Sequence, residues 1–230
     1  MQLHSDYSER VVIRPGDTKF VPSPLAGVER MMLDRDGGEV ARATSIVRYA
    51  PGSTFSRHVH TGGEEFLVLE GTFSDEHGDY PAGTYVRNPP GTSHAPYSKD
   101  GCTIFVKLFQ FHPEDAQRVV INFHDAAWQP GPVAGISILW LHQFRGEQIV
   151  LVKIAPGLDA IAHTHDGGEE VLVLDGMIED EHGEYPKGTW LRYPPQSRHA
   201  PFSRNGCMVY VKSGHLVDVI SPATYGVGKV

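Results

Sequence analysis

Cysteine is scarce in this chain: Cys102 and Cys207 are the only two in 230 residues. Two thiols so far apart build no disulfide framework, and they lack the CxxC spacing of a redox or zinc pair. Free cysteine is among the most buried residue types, so both are expected inside strands. Long apolar runs are missing as well. No stretch approaches the roughly 18 consecutive apolar residues of a membrane-spanning helix, and the opening MQLHSDYSER lacks the basic-then-apolar order of a secretory signal. A cytoplasmic protein with no membrane attachment is expected. There is no Lys/Arg-rich run, and 20 basic against 28 acidic residues leave a formal charge of -8. That balance disfavours direct binding to nucleic acid or anionic lipid. No segment sustains a 3.6-residue apolar period, and the strongest helix candidate is the short stretch Pro113 to Arg118.

Strand material dominates what is present. Thr44 to Tyr49, Phe66 to Leu69, Thr84 to Arg87 and Thr103 to Leu108 are short and rich in β-branched and aromatic residues. The 25 glycines and 17 prolines cluster between such runs, as in His77-Gly78 and Pro89-Pro90-Gly91, where they supply the positive or fixed φ of tight turns. Short strands joined this way predict an antiparallel sandwich or barrel.

The chain also repeats itself. His58, His60, Glu64 and His94 recur as His163, His165, Glu169 and His199, each 105 positions on. Around them, Gly71 to Ser98 and Gly176 to Ser203 align without a gap and agree at 16 of 28 positions. A repeat of this length is too long for a solenoid or propeller unit and predicts two domains of one fold. The expected division is a first domain over 1–112 with its core near 40–110, a linker over 113–124, and a second domain over 125–230 with its core near 145–215. The first 20 residues and the last 15 lie outside the clear repeat; they are expected as extra edge strands or as exchanged arms.

The repeated residues carry metal chemistry. Side chains two apart on a strand share a face, so His58 and His60 aim into one space while Val59 points away. Thr61-Gly62-Gly63 bends the chain so that Glu64 returns to the same ion, and His94 arrives from another strand after Pro89-Pro90-Gly91. Three neutral imidazoles and one carboxylate leave a divalent cation with a net charge of about +1. Glu65 and Glu170 have the opposite parity and are expected to face outward or to support the ligands by hydrogen bonds. His77 and His182 read as turn residues, and Tyr85 and Trp190 as core. His4, His112, His124, His142 and His215 have no counterpart in the other copy's site and receive no role. Arg48 and Lys153 are matched strand cations; a solvated sheet face is the favoured reading, with entry into the barrel to balance a ligand's charge as the alternative.

The spacing Gly52-x5-His58-x-His60-x3-Glu64-x6-Gly71 resembles the first cupin motif, and Gly83-x5-Pro89-x-Gly91-x2-His94 resembles the second. The second copy repeats both, except that Gln196 stands where the turn glycine belongs. Within cupins, HxHxGGEE and DEHGxYPxGTxxRxPPxxxHAP are similar to the cupin-like domain of the ChrR anti-sigma factors and, more distantly, to the acetylacetone-cleaving dioxygenase. The resemblance implies an all-β bicupin, two double-stranded β-helix (jelly-roll) barrels in tandem. Each would hold one divalent metal, zinc or ferrous iron, with manganese or nickel as further options. It also implies a metal-dependent regulatory or stress-sensing role, or alternatively a non-haem iron dioxygenase acting on a small diketone or enolisable carbonyl compound. ChrR proteins bind their sigma factor through a helical zinc domain with CxxC ligands; residues 1–20 contain no cysteine, so a sigma-factor partner is not expected by that route. A small-molecule ligand and a homodimer are the remaining expected partners.

Overall fold

Alternating apolar residues with turn-forming Gly and Pro between them give antiparallel ladders throughout the computed structural model, which describes residues 1–159 and 162–227. The first compact unit is built on a sheet of order Gln2–Leu3, Val28–Gly37, Ala41–Tyr49, Cys102–Leu108, Glu64–Asp75, Thr84–Asn88, Val119–Asn122. The second repeats the order from the second strand on, as Ile136–Phe144, Glu147–Ile154, Cys207–Ser213, Glu169–Asp180, Trp190–Tyr193, Val11–Ile13, and its Gln129–Pro130 pairs with Ile136–Phe144 as Val21–Pro22 pairs with Val28–Gly37 in the first. Each unit adds a two-stranded ribbon, His58–Val59 with Ser93–His94 in the first and His163–His165 with Ser197–His199 in the second.

Strand parity separates two faces in each sheet. In the first unit Phe66, Val68, Val86, Ile104 and Val106 form one apolar cluster with Phe73 and Tyr80. Val171, Val173, Leu191 and Val209 do the same in the second, with Ile178 and Tyr185. Cys102 and Cys207 are free and buried in these clusters. Glu65, Tyr85 and Arg87 lie on the opposite face and are also buried. Arg87 donates to Glu65 and to Asp115 at 2.5 Å each, and the Tyr85 hydroxyl donates to Glu65 at 2.7 Å. Glu170 lies 3.2 Å from His215. Glu65 and Glu170 therefore point away from the metal ligands; both are buried rather than facing outward, Glu65 in an ion pair with Arg87 and Glu170 beside the His215 ring.

Two expectations change. Pro113 to Arg118 forms no helix; a turn at Pro113 and Glu114 leads into extended chain. Six residues cannot repay the cost of nucleating a helix, and Asp115 is committed to Arg87. Among the described residues the one helical element is the 3-10 turn Pro222–Tyr225. The compact units also divide differently from the expected 1–112 and 125–230. Val119–Asn122, expected in the linker, pairs with Thr84–Asn88, while Asp6–Thr18 belongs to the second unit, where Val11–Ile13 pairs with Trp190–Tyr193. Ile220 to Val227 return to the first unit. The physical reason is an unpaired sheet edge in each unit, whose backbone groups need a ladder partner. No helix is long and apolar enough to cross a membrane among the described residues.

Candidate metal centres

The eight expected ligands fall into two clusters. His58, His60, Glu64 and His94 each bring one donor atom to within 4.8 Å of the others, as do His163, His165, Glu169 and His199. In the first, His94 lies opposite His58 on the small ribbon, and Glu64 opens the long strand opposite Asn88. The chain reaches Glu64 through Gly63 at φ 75, where a Cβ would stand 2.4 Å from the Phe111 ring. The glycine is thus required twice, for its left-handed backbone and for the approach of that ring. Val59 points out and is 62% exposed, as parity demands.

The imidazoles stand around a common point, with ring centroids 4.5 to 5.0 Å apart in the first centre and 4.7 to 4.9 Å in the second. Buried His60 Nε2, His94 Nε2 and Glu64 Oε1 have no hydrogen-bond partner, and neither do His165 Nε2 and His199 Nε2. Orphaned buried polar atoms are costly, and a cation among them would satisfy several at once. Ligand distances near 2.1 Å ask for donors within about 4.3 Å of each other, close to the observed spread. The residues fit a divalent ion. Burial pushes His60 down to about 4 and His165 down to about 3, and raises Glu169 to about 8. Glu64 is likewise raised by burial. Without a cation, burial therefore works against ionisation of both carboxylates.

Behind each cluster stands a carboxylate that sequence reading missed. Asp75 Oδ2 lies 3.1 Å from His94 Nδ1, and Asp180 Oδ2 lies 3.3 Å from His199 Nδ1. Each also accepts from the amide of the histidine two residues on, His77 or His182, at 2.8 Å, which is the turn chemistry expected there. Simple alternation puts Asp75, eleven residues from Glu64, on the wrong face. A register shift between Val68 and Glu70 restores it, and the same shift between Val173 and Asp175 serves Asp180. A bulge of this kind reverses parity. The signal available in sequence was the repetition of Asp-Glu-His-Gly in both copies.

The two centres differ in their surroundings. The first opens into a cavity of about 240 Å³ walled by Tyr49, Phe55 and Phe73, with Leu25 and Pro96, and floored by His58, Glu64 and His94. Tyr49 meets Phe55 and Phe73 edge-on at 5.1 and 5.6 Å. In the second, Ile154 and Ile178 replace Tyr49 and Phe73, and Tyr193 occupies the place of Asn88. The Tyr193 ring lies 5.6 Å from His165 and 4.3 Å from His199, and its hydroxyl donates to Asp180 at 2.8 Å. Gln196, in place of the turn glycine, takes the left-handed conformation at φ 64, and its amide donates to the His165 carbonyl at 2.7 Å. Gly91 makes the matching bond to His60 at 2.8 Å, so the loop keeps its course. Arg48 and Lys153 are exposed and lie 3.7 and 3.8 Å from the Phe20 and Trp128 rings. The favoured reading of a sheet face stands, and neither cation enters a barrel.

Comparison with known proteins supports this architecture. Solved structures of similar shape include a candidate dioxygenase from Nostoc punctiforme, with 14% identity, a TM-score of 0.78, and coverage of 93% of this chain and 86% of that one. Another is the bacterial pirin of Escherichia coli in complex with nickel(II), with 15% identity, a TM-score of 0.63, and coverage of 91% and 100%. Oxalate decarboxylase from Bacillus subtilis follows with 12% identity, a TM-score of 0.61, and coverage of 93% and 79%. At such identities the likeness is one of fold. No curated protein matches the chain. The model of the ChrR Cupin-like domain matches twice, over residues 8–112 and 116–217. With two matches spanning most of its length, two cupin barrels and a His/Glu cluster in each, the chain belongs to the ChrR Cupin-like domain family as a bicupin.

Proposed function

We propose that this bicupin is a divalent-metal-dependent enzyme whose first centre takes a small oxygen-bearing organic molecule, with a non-haem iron dioxygenase acting on a diketone or enolisable carbonyl compound as the specific reading. The observation that carries it is the cavity of about 240 Å³ that exposes three of the four first-centre ligands to an aromatic-walled space. His58, His60, Glu64 and His94 would hold the ion, which supplies Lewis acidity and, if iron, the means to bring O2 and substrate together. Four protein donors would leave such an ion room for a further ligand.

The remaining work falls to the protein. Tyr49, Phe55 and Phe73 grip the apolar part of a ligand and exclude water from it. Among the described residues no lysine or arginine lines the cavity, so a ligand's negative charge would meet the ion alone, whose charge Glu64 reduces to about +1. That sum suits a neutral carbonyl compound or a singly charged enolate and disfavours dianions. The His94 Nδ1 contact to Asp75 directs Nε2 into the centre.

Anaerobically iron-loaded protein mixed with a panel of small β-diketones and then with oxygenated buffer should consume O2 with at least one of them, and Phe73→Ala should weaken saturation by that compound. Absence of uptake across the panel would remove the dioxygenase reading. The second reading is a ChrR-type sensor, supported by the family match over both repeats. It expects the same ligand or an oxidant to change association of the chain with itself or a protein partner, without turnover.

A further inference from the structure

In each unit a chain of hydrogen bonds runs from an arginine at the start of the edge strand to one metal-ligand histidine. In the first, Arg118 donates to the Tyr80 hydroxyl at 3.0 Å, that hydroxyl donates to Asp75 Oδ1 at 3.1 Å, and Asp75 Oδ2 meets His94 Nδ1 at 3.1 Å. In the second, Arg10 donates to the Tyr185 hydroxyl at 2.5 Å, Tyr185 to Asp180 Oδ1 at 2.8 Å, and Asp180 Oδ2 meets His199 Nδ1 at 3.3 Å. The arginines immediately precede Val119–Asn122 and Val11–Ile13, the strands that complete the two sheets. They begin the same four-residue phrase, Arg10-Val11-Val12-Ile13 and Arg118-Val119-Val120-Ile121, 108 positions apart. The same four residue types in the same order, built twice, make a chance packing contact a poor explanation.

We propose that Asp75 and Asp180 are positioning residues for His94 and His199, and that Arg118 and Arg10, acting through Tyr80 and Tyr185, couple the seating of each edge strand to metal binding in the same unit. The physical basis is orientation. A carboxylate on Nδ1 fixes the tautomer and ring plane of a ligating histidine, and the tyrosine and arginine hold that carboxylate in place by using its other oxygen. The Asp180 carboxyl carries the heavier set, since the Tyr185 and Tyr193 hydroxyls and the His182 amide each donate to it at 2.8 Å. Reciprocity follows from linkage, since a strand that improves the centre is itself held by the ion.

The inference rests on metal binding at the two clusters, so the test begins with the intact chain. Cobalt(II) affinity is measured at the second centre with the first disabled by His58→Ala and His60→Ala, and the reverse with His163→Ala and His165→Ala. Failure of these parents to bind cobalt would overturn the metal reading itself. If they bind, Asp180→Ala should weaken the second centre about 10- to 100-fold and shift its cobalt absorption. Tyr185→Phe, a milder change that keeps the ring, should weaken it a few-fold, and Arg10→Lys should retain more affinity than Arg10→Ala. Asp75, Tyr80 and Arg118 variants should act on the first centre alone. Cobalt should slow hydrogen exchange at Val11–Ile13 in the parent and much less in Arg10→Ala. Unchanged affinity and spectrum in Asp180→Ala and Tyr185→Phe, or equal slowing of exchange with and without Arg10, would overturn the proposal even if those variants melt at lower temperature.

Discussion

Glu169 and His165 are buried side by side, with a ring nitrogen and a carboxylate oxygen 3.4 Å apart, and burial moves them in opposite directions. Glu169 rises from 4.5 to about 8, so in the metal-free folded protein it keeps a proton that the unfolded chain releases. Its contribution to stability is full below pH 4.5 and is lost as pH rises to 8. His165 falls from 6.5 to about 3, so its contribution is full above pH 6.5 and is lost as pH falls toward 3. Between pH 4.5 and 6.5 the two slopes cancel. Above 6.5 only the carboxylate remains, and chelated protein should lose about 2 kcal/mol between pH 6.5 and 8 from Glu169 alone, at about 1.4 kcal/mol per pH unit. Loaded protein, with Glu169 ionised against the cation, should lack that decline. Urea unfolding at the two pH values with and without chelator measures the difference. A chelated protein equally stable at both would show that the buried carboxylate is solvated better than its geometry indicates.

The edge strands carry the main lesson about legibility. The 105-residue repeat, the strand runs and all eight clustered side chains were readable because parity, turn residues and motif spacing are local properties. What was not readable depended on pairing partners. The leading phrase Arg-Val-Val-Ile repeats at 108, and a search at 105 passes over it. The pair Asp36 and Arg42 in the first unit encloses five residues where the matching pair Phe144 and Glu147 encloses two, and those three residues account for the shift from 108 to 105. Asp75 and Asp180 were hidden by one bulge each. Even with the phrase in view, only the ladder shows that Val11–Ile13 closes the second sheet. Ile13 is buried opposite Trp190, so Ile13→Ala should cost about 2 to 4 kcal/mol and act on the second unit. Hydrogen exchange should quicken at Trp190–Tyr193 and Glu169–Asp180, with Val28–Gly37 unchanged. Faster exchange confined to Val28–Gly37 would place the arm with the first sheet instead.

At the scale of the whole molecule, duplication has produced two ligand sets of the same type in unlike settings. Asn88, Tyr49 and Phe73 surround the first, where the cavity lies, and Tyr193, Ile154 and Ile178 stand at the matching places of the second. Tyr193 packs on two ligand rings and bonds to Asp180, an arrangement that rigidifies histidines and suits an ion held for stability. The first cluster has the space a ligand needs. Two divalent ions per chain are therefore expected, with one lost in His58→Ala and the other in His163→Ala. Each should stabilise the fold by about 2.7 kcal/mol when free metal is a hundredfold above its dissociation constant. The ions should differ in their response to a chelating diketone such as acetylacetone. With cobalt(II) as the reporter, His163→Ala, which keeps the first centre, should show a diketone-dependent change in visible absorption, and His58→Ala, which keeps the second, should show none. Equal responses would mean that both barrels admit small molecules and that the Tyr193 packing does not set them apart. A response only in His58→Ala would move the ligand site to the second unit and leave the aromatic cavity without a part in it.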